Sequence, residues 1–435
     1  MTFTGRFVVL VALGVIPVVL LGGTIPRAFV VLGLWMLFVF LLGGLDLLLT
    51  ASPRSVTFER TVPARVRLGE TVMSQLAITN TGTRRLNALV RDAWQPSAGA
   101  GNNRTLVAIP PRERRLVTLP LTPFRRGERR TAHVTVRARG PLGLWNRQAT
   151  LGAPGSIRVL PPFRSRKHLP SRIQRLKELD GRTSVMVRGP GTEFDSLREY
   201  VRGDDVRSID WRATARRNDV MVRTWRPERD RRVVILIDTG RTSAARIDDE
   251  PRLDTAFEAS LLLAALAEPA GDRVDVLAFD RRVRGRVQGA KGAALLARMV
   301  DAMALIEPEL IETDWAAVPA QVRGITGQHA LVVIITSIDA AGASTGLLSM
   351  LPQLTQRHTV VVASVTDPAA LQASRERTTV EGVYRAAAAE RALLDVARVS
   401  AAIRQLGGEV VTASPADLPP ALADRYILLK ATGRL

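Results

Sequence analysis

Two long apolar runs open the chain. Residues 7–26 carry no charged side chain, and residues 28–45 form a second uncharged run. A helix needs about 20 residues to cross the ~30 Å hydrocarbon core of a bilayer. The pattern predicts a two-helix transmembrane hairpin over residues 1–54, with helices at about 7–26 and 28–49. The alternative is a cleaved signal peptide, but a second apolar run follows directly and no small-x-small cleavage site is evident.

The arginines that flank these runs predict an orientation. Four of them follow the second run closely, whereas the turn between the runs has one; the four are Arg54, Arg60, Arg65 and Arg67. The positive-inside rule therefore predicts a multi-pass protein of the cell membrane whose soluble domains face the cytoplasm. Asp46, near the end of the second run, is expected at the interface, where its carboxylate reaches water.

Alternating hydrophobic and polar positions follow over residues 55–161. This period of two is typical of half-buried strands. Turn residues such as Gly140-Pro141 separate the predicted strands. The alternating pairs are Val56/Phe58, Val66/Leu68, Leu76/Ile78, Val117/Leu119, Val134/Val136 and Ile157/Val159. Several short strands at this spacing favour an immunoglobulin-like β-sandwich.

A basic connector spans residues 162–187. It is interpreted either as a solvated linker or as a segment that lies along lipid headgroups. Its basic residues are Arg164, Arg166, Lys167, Arg172, Arg175 and Lys177.

Buried strands and amphipathic helices alternate over residues 231–435. The predicted strands are Val233–Ile237, Arg273–Phe279, Ala330–Ile335, Val360–Val365 and Glu409–Val411, and the helices are Leu253–Leu266, Ala293–Leu305 and Ala386–Leu406. Alternation of this kind predicts a doubly wound α/β sheet, whose sites lie at the carboxyl ends of the strands. Asp238 ends the first of these strands.

The net charge limits the kinds of partner that the chain is expected to bind. Of 61 basic residues only four are lysine, a bias typical of GC-rich bacterial genomes, and the net charge is +20. A basic surface attracts nucleic acid or anionic lipid. The arginines are spread along the chain and aromatic residues make up only 5%. With a membrane anchor present, an anionic lipid surface is therefore the predicted partner, and nucleic acid is not.

Catalytic motifs are missing from the sequence. There is no cysteine, which excludes disulfides, thiolate metal sites and a cysteine nucleophile. No phosphate-binding G-x-x-x-x-G-K-[ST] loop, H-E-x-x-H or G-x-S-x-G pattern occurs, and the four histidines are scattered. The chain is therefore not predicted to be an enzyme.

The most distinctive stretch is the signature segment, residues 188–230, which combines acids, arginines and aromatics. Arg–carboxylate pairs suit a folded bridge that buries Asp210 and Trp211, and the alternative is an exposed docking surface. The segment resembles the signature of the bacterial domain of unknown function 58 (DUF58) family, E-F-x-x-L-R-E-Y-x-x-G-D-x-x-R-x-I-D-W followed by A-R. The matching residues are Glu193, Phe194, Leu197, Arg198, Glu199, Tyr200, Gly203, Asp204, Arg207, Ile209, Asp210, Trp211, Ala215 and Arg216.

This resemblance implies a von Willebrand factor A-like fold for residues 231–435. In that fold a metal is held by D-x-S-x-S, a distant Thr and a later Asp. The candidate positions here are Asp238, Thr242 and Thr313, with Asp339 two positions after the place of the expected carboxylate. Gly240 replaces one hydroxyl ligand, and Ser337 stands where the later carboxylate is expected. These departures favour a structural relic, so no cofactor is expected, with Mg²⁺ as the alternative.

The function that follows is that of a membrane-anchored interaction or scaffold protein. The resemblance implies work with a MoxR-type AAA+ ATPase in the assembly or maturation of other proteins, with other membrane or envelope proteins as further partners. The alternative is metal-dependent ligand binding or hydrolase activity at the Asp238 strand end.

Overall fold

The computed structural model describes residues 2–183, 193–201, 204–217, 219–226, 231–247, 250–339 and 341–435. The chain forms two compact units, Met1–Leu160 and Pro161–Leu435. Parts of the predicted connector and signature segment lie outside the described residues, namely 184–192, 202–203, 218 and 227–230.

Three helices follow a short first strand, β1 (Thr2–Phe3), in the first unit. They are α1 (Gly5–Ala12), α2 (Val15–Leu21) and α3 (Ile25–Leu49). α3 is long and apolar enough to cross a membrane, because 25 residues at 1.5 Å each exceed the ~30 Å core. The prediction of a membrane helix is therefore supported for the second apolar run.

The first apolar run does not form the single helix predicted over residues 7–26. The helix breaks after Ala12 and resumes at Val15 because Pro17 has no N–H to donate to the Leu13 carbonyl. The Ile16 N–H donates to that carbonyl instead, at 3.1 Å. The two-helix hairpin therefore remains a prediction for this run, whose pieces α1 and α2 both pack on α3.

Two sheets enclose the core of the β region. The strands are β2 (Val56–Thr61), β3 (Arg65–Arg67), β4 (Val72–Asn80), β5 (Leu86–Asp92), β6 (Arg104–Ile109), β7 (Arg114–Leu121), β8 (Gly127–Arg139) and β9 (Trp145–Leu160). One sheet has the order β2-β4-β7, and the other has the order β1-β9-β8-β5-β6, with β3 paired to β9. Alternate residues such as Leu76, Ile78 and Val136 are fully buried between the sheets.

Arg60 was predicted to contribute to the positive charge beside the membrane, but it is buried in this β core. Its guanidinium forms an ion pair with Asp92 at 2.7 Å and lies 5.4 Å from the Trp94 ring centre. A different arginine, Arg84, donates to the Leu48 carbonyl at the end of α3.

Over its described residues, the predicted connector folds as part of the second unit and is not a solvated linker. α4 (Leu169–Thr183) buries Leu176 against the core of the α/β sheet. Arg172 of the same helix forms an ion pair with Asp424 at 2.7 Å. Interpreting this segment only from its basic residues missed the apolar face that carries Leu176.

The second unit contains a six-stranded sheet with the order β16-β15-β12-β17-β18-β19. Its strands are β12 (Arg232–Asp238), β15 (Arg273–Phe279), β16 (Val283–Val287), β17 (Leu331–Ile335), β18 (Thr359–Val365) and β19 (Glu409–Ala413). All neighbouring pairs are parallel except the antiparallel pair of β15 and β16. A short hairpin, β13 (Arg246–Ile247) with β14 (Glu250–Pro251), precedes the first sheet-covering helix.

Helices cover both faces of this sheet, which is why its central strands are continuous apolar runs. α6 (Arg252–Ala267), α7 (Ala293–Ala304) and α12 (Leu418–Ala431) lie on one face with α4. α8 (Val318–Ile325), α9 (Ala341–Thr355) and α11 (Val380–Gln405) lie on the other, and α10 (Pro368–Ala373) packs on α11. Consecutive strands run outward from β12 in both directions. The carboxyl ends of β12 and β17 therefore flank the position where doubly wound sheets place their sites.

Candidate functional site

The signature segment forms its own small module. β10 (Glu193–Glu199) pairs antiparallel with β11 (Met221–Arg226), and α5 (Trp211–Arg217) lies between them in sequence. The Tyr200 N–H donates to the Val220 carbonyl at 2.7 Å, and the Asp210 N–H donates to that of Met221 at 2.8 Å. Met221 and Val222 are buried. Gly203 lies outside the described residues.

Asp210 fixes the start of α5. Its Oδ1 accepts the N–H groups of Arg212 and Ala213, each at 3.0 Å, and its Oδ2 accepts Arg223 Nε at 2.8 Å. The Ala213 N–H, followed by the Arg223 guanidinium, lowers the pKa of Asp210. Asp210 is thus an ionised N-cap that ties α5 to β11.

A second ion pair holds the chain after β10. Arg198 donates to Asp204 Oδ1 at 2.5 Å, and the Val201 N–H donates to Asp204 Oδ2 at 2.9 Å. These bonds, led by that from Arg198, lower the pKa of Asp204. The Arg–carboxylate pairs expected from the sequence therefore exist within this module.

Trp211 is not buried, which corrects the expectation of a bridge that buries it. Its side chain is 69% exposed at the first position of α5. Glu199, Arg207 and Arg216 are also exposed, and Tyr200 is half-buried. Glu193 and Phe194 lie on β10 opposite the backbones of Arg226 and Trp225. The module thus presents an aromatic side chain to solvent.

The strand-end cluster surrounds Asp238, the last residue of β12. Its carboxylate is buried and accepts four hydrogen bonds. Gly240 N–H (2.8 Å) and Thr313 Oγ1 (2.5 Å) donate to Oδ1; Thr242 Oγ1 (3.2 Å) and Thr336 Oγ1 (2.6 Å) donate to Oδ2. An ionised carboxylate has about four acceptor positions, so these donors fill it.

Gly240 is required by the close approach of Thr313. A Cβ at position 240 would lie 2.4 Å from Thr313 Oγ1 and 2.9 Å from the Ile311 carbonyl oxygen. The sequence was interpreted as having lost a hydroxyl ligand at this position. In the structure the Thr313 hydroxyl occupies the space that a serine side chain would need.

Asp339, the fourth predicted metal ligand, is held by a cation of the protein itself. Arg252 at the start of α6 forms an ion pair with Asp339 and donates to Ser337 Oγ at 2.5 Å. The hydrogen bonds therefore join Asp238, Thr242 and Thr313 to one another, whereas Asp339 belongs to the Arg252 group.

These residues do not fit a hard cation. Mg²⁺ requires several oxygen ligands in near-octahedral order. The Asp238 group offers one carboxylate, already hydrogen-bonded fourfold, and Arg252 neutralises Asp339. Over the described residues, no three His, Asp or Glu side chains are grouped as metal ligands would be.

Asp280 is a buried acid near the same strand ends that sequence reasoning missed. It follows β15, accepts Thr239 Oγ1 at 3.0 Å and forms an ion pair with Arg284 at 2.5 Å. Burial favours the neutral acid, but Arg284 and the N–H groups of Arg282 and Arg281 together lower the pKa of Asp280. An Asp directly after a buried strand was the available signal.

Asp46 forms an enclosed polar site in the first unit. It is fully buried, and its carboxylate accepts the N–H groups of Leu142 (2.8 Å), Leu144 (2.7 Å) and Trp145 (3.1 Å). A Cβ on Gly140 would lie 2.1 Å from Asp46 Oδ1. The prediction that Asp46 is simply exposed to water at the interface is therefore wrong. No local sequence signal joins this acid to the distant loop around Pro141.

The N-terminus reaches the same loop. Thr4 Oγ1 donates to the Gly143 carbonyl at 2.7 Å, and Phe3 pairs with Trp145 on β9. The rings of Phe3 and Phe7 stack 5.0 Å apart beside Trp145. The first residues of the chain and the end of α3 therefore both lie at the loop between β8 and β9.

A family model matches a large part of the second unit. The family described as "Protein of unknown function DUF58" matches residues 196–405. Uncharacterized proteins of Mycobacterium bovis and Mycobacterium tuberculosis are 26% identical over 185 residues, which is 42% of this chain. The match spans 57% of the length of these curated relatives.

Solved structures resemble smaller parts of the chain. A CARDB domain from Pyrococcus furiosus has 19% identity and a TM-score of 0.18, over 24% of this chain and 86% of that one. A chain of the human seminal plasma complex of zinc 2-glycoprotein and prolactin inducible protein has 12% identity and a TM-score of 0.20. That match covers 25% of this chain and 95% of that one. These TM-scores are too low to establish a shared fold.

Proposed function

We propose that the chain is a membrane-anchored interaction protein of the DUF58 family. Its α/β unit is von Willebrand factor A-like and works with a MoxR-type AAA+ ATPase in the assembly or maturation of other proteins. The match over residues 196–405 supports the family, and the doubly wound sheet supports the fold. The ATPase is inferred from the family resemblance of the signature segment.

The observation that carries the scaffold role is the burial of Asp46. Its carboxylate joins the end of an apolar helix of membrane-spanning length to the loop between β8 and β9. Charge-assisted bonds from three N–H groups are stronger and more directional than neutral ones. An anchor built into a domain in this way suits a protein that holds its partner at a fixed place on the membrane.

An interaction role also agrees with the chemistry at the strand ends. Asp238 is saturated by donors, and Asp280 is occupied by Arg284, so neither carboxylate is free to act as a base. The competing function, metal-dependent binding or hydrolysis at Asp238, requires these hydrogen bonds to be replaced by metal ligands. The saturated cluster favours the first function.

The proposed orientation places both spans in the bacterial cell membrane and the folded units in the cytoplasm. Arg6, Arg54 and Arg84 lie near the end of α3, where they can meet anionic headgroups, whereas Arg27 is alone at the other turn. Protease added to intact spheroplasts is expected to leave residues 55–435 uncut. Digestion from outside would overturn the orientation, and with it the ATPase partner.

The partner is tested by gentle purification of the full-length chain from native membranes. A MoxR-type ATPase is expected to co-purify, and the chain without it is expected to turn over neither nucleotides nor ester substrates. Turnover by the isolated chain, abolished in Asp238→Asn, would favour the hydrolase alternative. A complex that lacks the ATPase would overturn the proposed partner.

A further inference from the structure

Trp211 lies on a short helix whose other exposed side chains are mainly basic. α5 reads Trp-Arg-Ala-Thr-Ala-Arg-Arg, and Trp211, Arg212, Arg216 and Arg217 are all exposed. We call these four side chains the Trp211 surface. The Trp211 side chain is 69% exposed. Folding therefore leaves most of a large apolar group in contact with solvent.

The position of Trp211 is fixed by the surrounding backbone. Asp210 caps the N–H groups that follow Trp211, and Thr214 Oγ1 donates to the Asp210 carbonyl at 2.8 Å. The Met221 N–H donates to Thr214 Oγ1 at 3.0 Å, which ties the middle of α5 to β11. Because the backbone that carries Trp211 is already fixed, binding costs little conformational entropy there, and this favours affinity.

Within the described part of the module, the acids do not neutralise the positive charge of this surface. The acids Asp204 and Asp210 pair with Arg198 and Arg223. Among the described residues, Arg212, Arg216 and Arg217 form no ion pair. Arg212 and Arg216 are four residues apart and therefore neighbours on one helix face.

We propose that the Trp211 surface binds an acidic segment of a protein partner that also supplies an apolar pocket for the indole. Tryptophan and arginine are the side chains that most often dominate protein interfaces. Arginine forks bind carboxylates in bidentate geometry, which complements Asp and Glu side chains. The inference rests on the proposed function only in that the partner is a protein.

The module is less suited to the other polyanions. A single exposed aromatic side chain offers no series of stacking platforms for single-stranded nucleic acid. The exposed acids Glu199, Asp205 and Asp219 lie in the same module and would repel a uniformly anionic bilayer or a phosphate backbone. A protein surface can instead place its acids opposite the arginines alone.

Photo-crosslinking in native membranes tests the proposal on the full-length chain. The probe is p-benzoylphenylalanine at position 215, since Ala215 is exposed one turn after Trp211 and leaves that side chain intact. The matched control carries the same probe at Ala387, exposed on α11 near the exposed Tyr384. Position 215 is expected to capture protein segments rich in Asp and Glu, and position 387 is not.

Two variants establish that the capture depends on this surface. Trp211→Ala and the charge reversal Arg212→Glu/Arg216→Glu are each expected to reduce the adduct yield roughly tenfold or more. Unchanged hydrogen exchange at Met221 confirms that the module remains folded. Capture of lipid or RNA, yields insensitive to both variants, or no capture above the Ala387 control would each overturn the proposal. Acidic capture of a protein other than the ATPase would instead overturn only the proposed partner.

Discussion

Asp46 and Leu144 are 98 positions apart in sequence, yet the Leu144 N–H donates to Asp46 Oδ2 at 2.7 Å. The bond joins the last turns of α3 to the loop that precedes β9. Gly143 in this loop has φ of +66°, a conformation that glycine adopts without strain and that turns neighbouring N–H groups toward one point. The loop is therefore an anion-binding turn whose anion is a side chain of the helix.

Asp46→Ala is expected to loosen the attachment of α3. The change leaves the N–H groups of Leu142, Leu144 and Trp145 without their acceptor, at a cost on the order of 3 kcal/mol. Hydrogen exchange of the loop amides in nanodiscs measures the effect, which we expect as faster exchange at positions 142–145. The exposed acid Glu59, changed to Ala, is the matched control and should leave these amides unchanged.

Gly140→Ala provides an independent check on the same contact. Its Cβ would meet the Asp46 carboxylate, so the same amides should lose protection while all hydrogen-bonding groups remain. Protection equal to that of the wild type in both Asp46→Ala and Gly140→Ala would contradict the account of this loop.

Periodicity in the sequence predicted the elements that have strong apolar patterns. The run Val233–Ile237 and the helix at Leu253–Leu266 fall within β12 and α6. The edge strand β16 was missed because Val-Arg-Gly-Arg-Val has little apolar content, as edge strands often do. The break at Leu13 was also missed, since it depends on one proline four residues later.

The candidate site was harder to predict because its geometry joins distant residues. Sequence matching placed Thr313 beside Asp238, and the two are hydrogen-bonded. The sequence did not indicate that Arg252 would form an ion pair with Asp339, because the two residues are far apart in the sequence. It likewise predicted ion pairs in the signature module but not the exposure of Trp211, which depends on how the module packs.

Restoring the missing hydroxyl by Gly240→Ser is expected to harm the fold rather than create a metal site. The new Cβ would clash with Thr313 Oγ1, and overpacking of this kind costs about 1–3 kcal/mol. Calorimetric titration with Mn²⁺ is expected to show no binding to either protein. Thr313→Ala in the same chain should recover part of the lost stability. Saturable Mn²⁺ binding by the wild type, lost in Asp238→Ala, would show that the strand-end cluster does hold a metal.

Trp211→Ala and Asp210→Ala are expected to differ in their effect on the signature module. The first removes an exposed side chain and should leave the Tm of the α/β unit unchanged. The second removes the cap and the Arg223 ion pair, so the amides of Arg212 and Ala213 should exchange about tenfold faster. A lowered Tm in Trp211→Ala would mean that Trp211 supports the fold.

Glu250 gives the α/β unit a pH-dependent contribution to stability. Burial, opposed by Arg164 and reinforced by Asp254 and Glu258, raises the pKa of Glu250 above 4.5. A raised folded-state pKa stabilises the protein below the unfolded pKa, and this contribution is lost as pH rises through the folded pKa. Glu250→Gln should therefore equal the wild type near pH 4 and become the more stable of the two toward pH 7. Thermal unfolding at both pH values measures this, and a difference that is larger at pH 4 would contradict it.

The most direct test is the affinity of the full-length chain in nanodiscs for the purified MoxR-type ATPase that we propose as its partner. Wild type, Trp211→Ala and Tyr384→Ala are compared by biolayer interferometry, since both aromatic side chains are exposed and only Trp211 lies in the signature module. We expect wild type and Tyr384→Ala to bind alike, and Trp211→Ala to bind about tenfold more weakly or worse. An ATPase that does not bind the wild-type chain would contradict the account, and so would equal binding by all three chains.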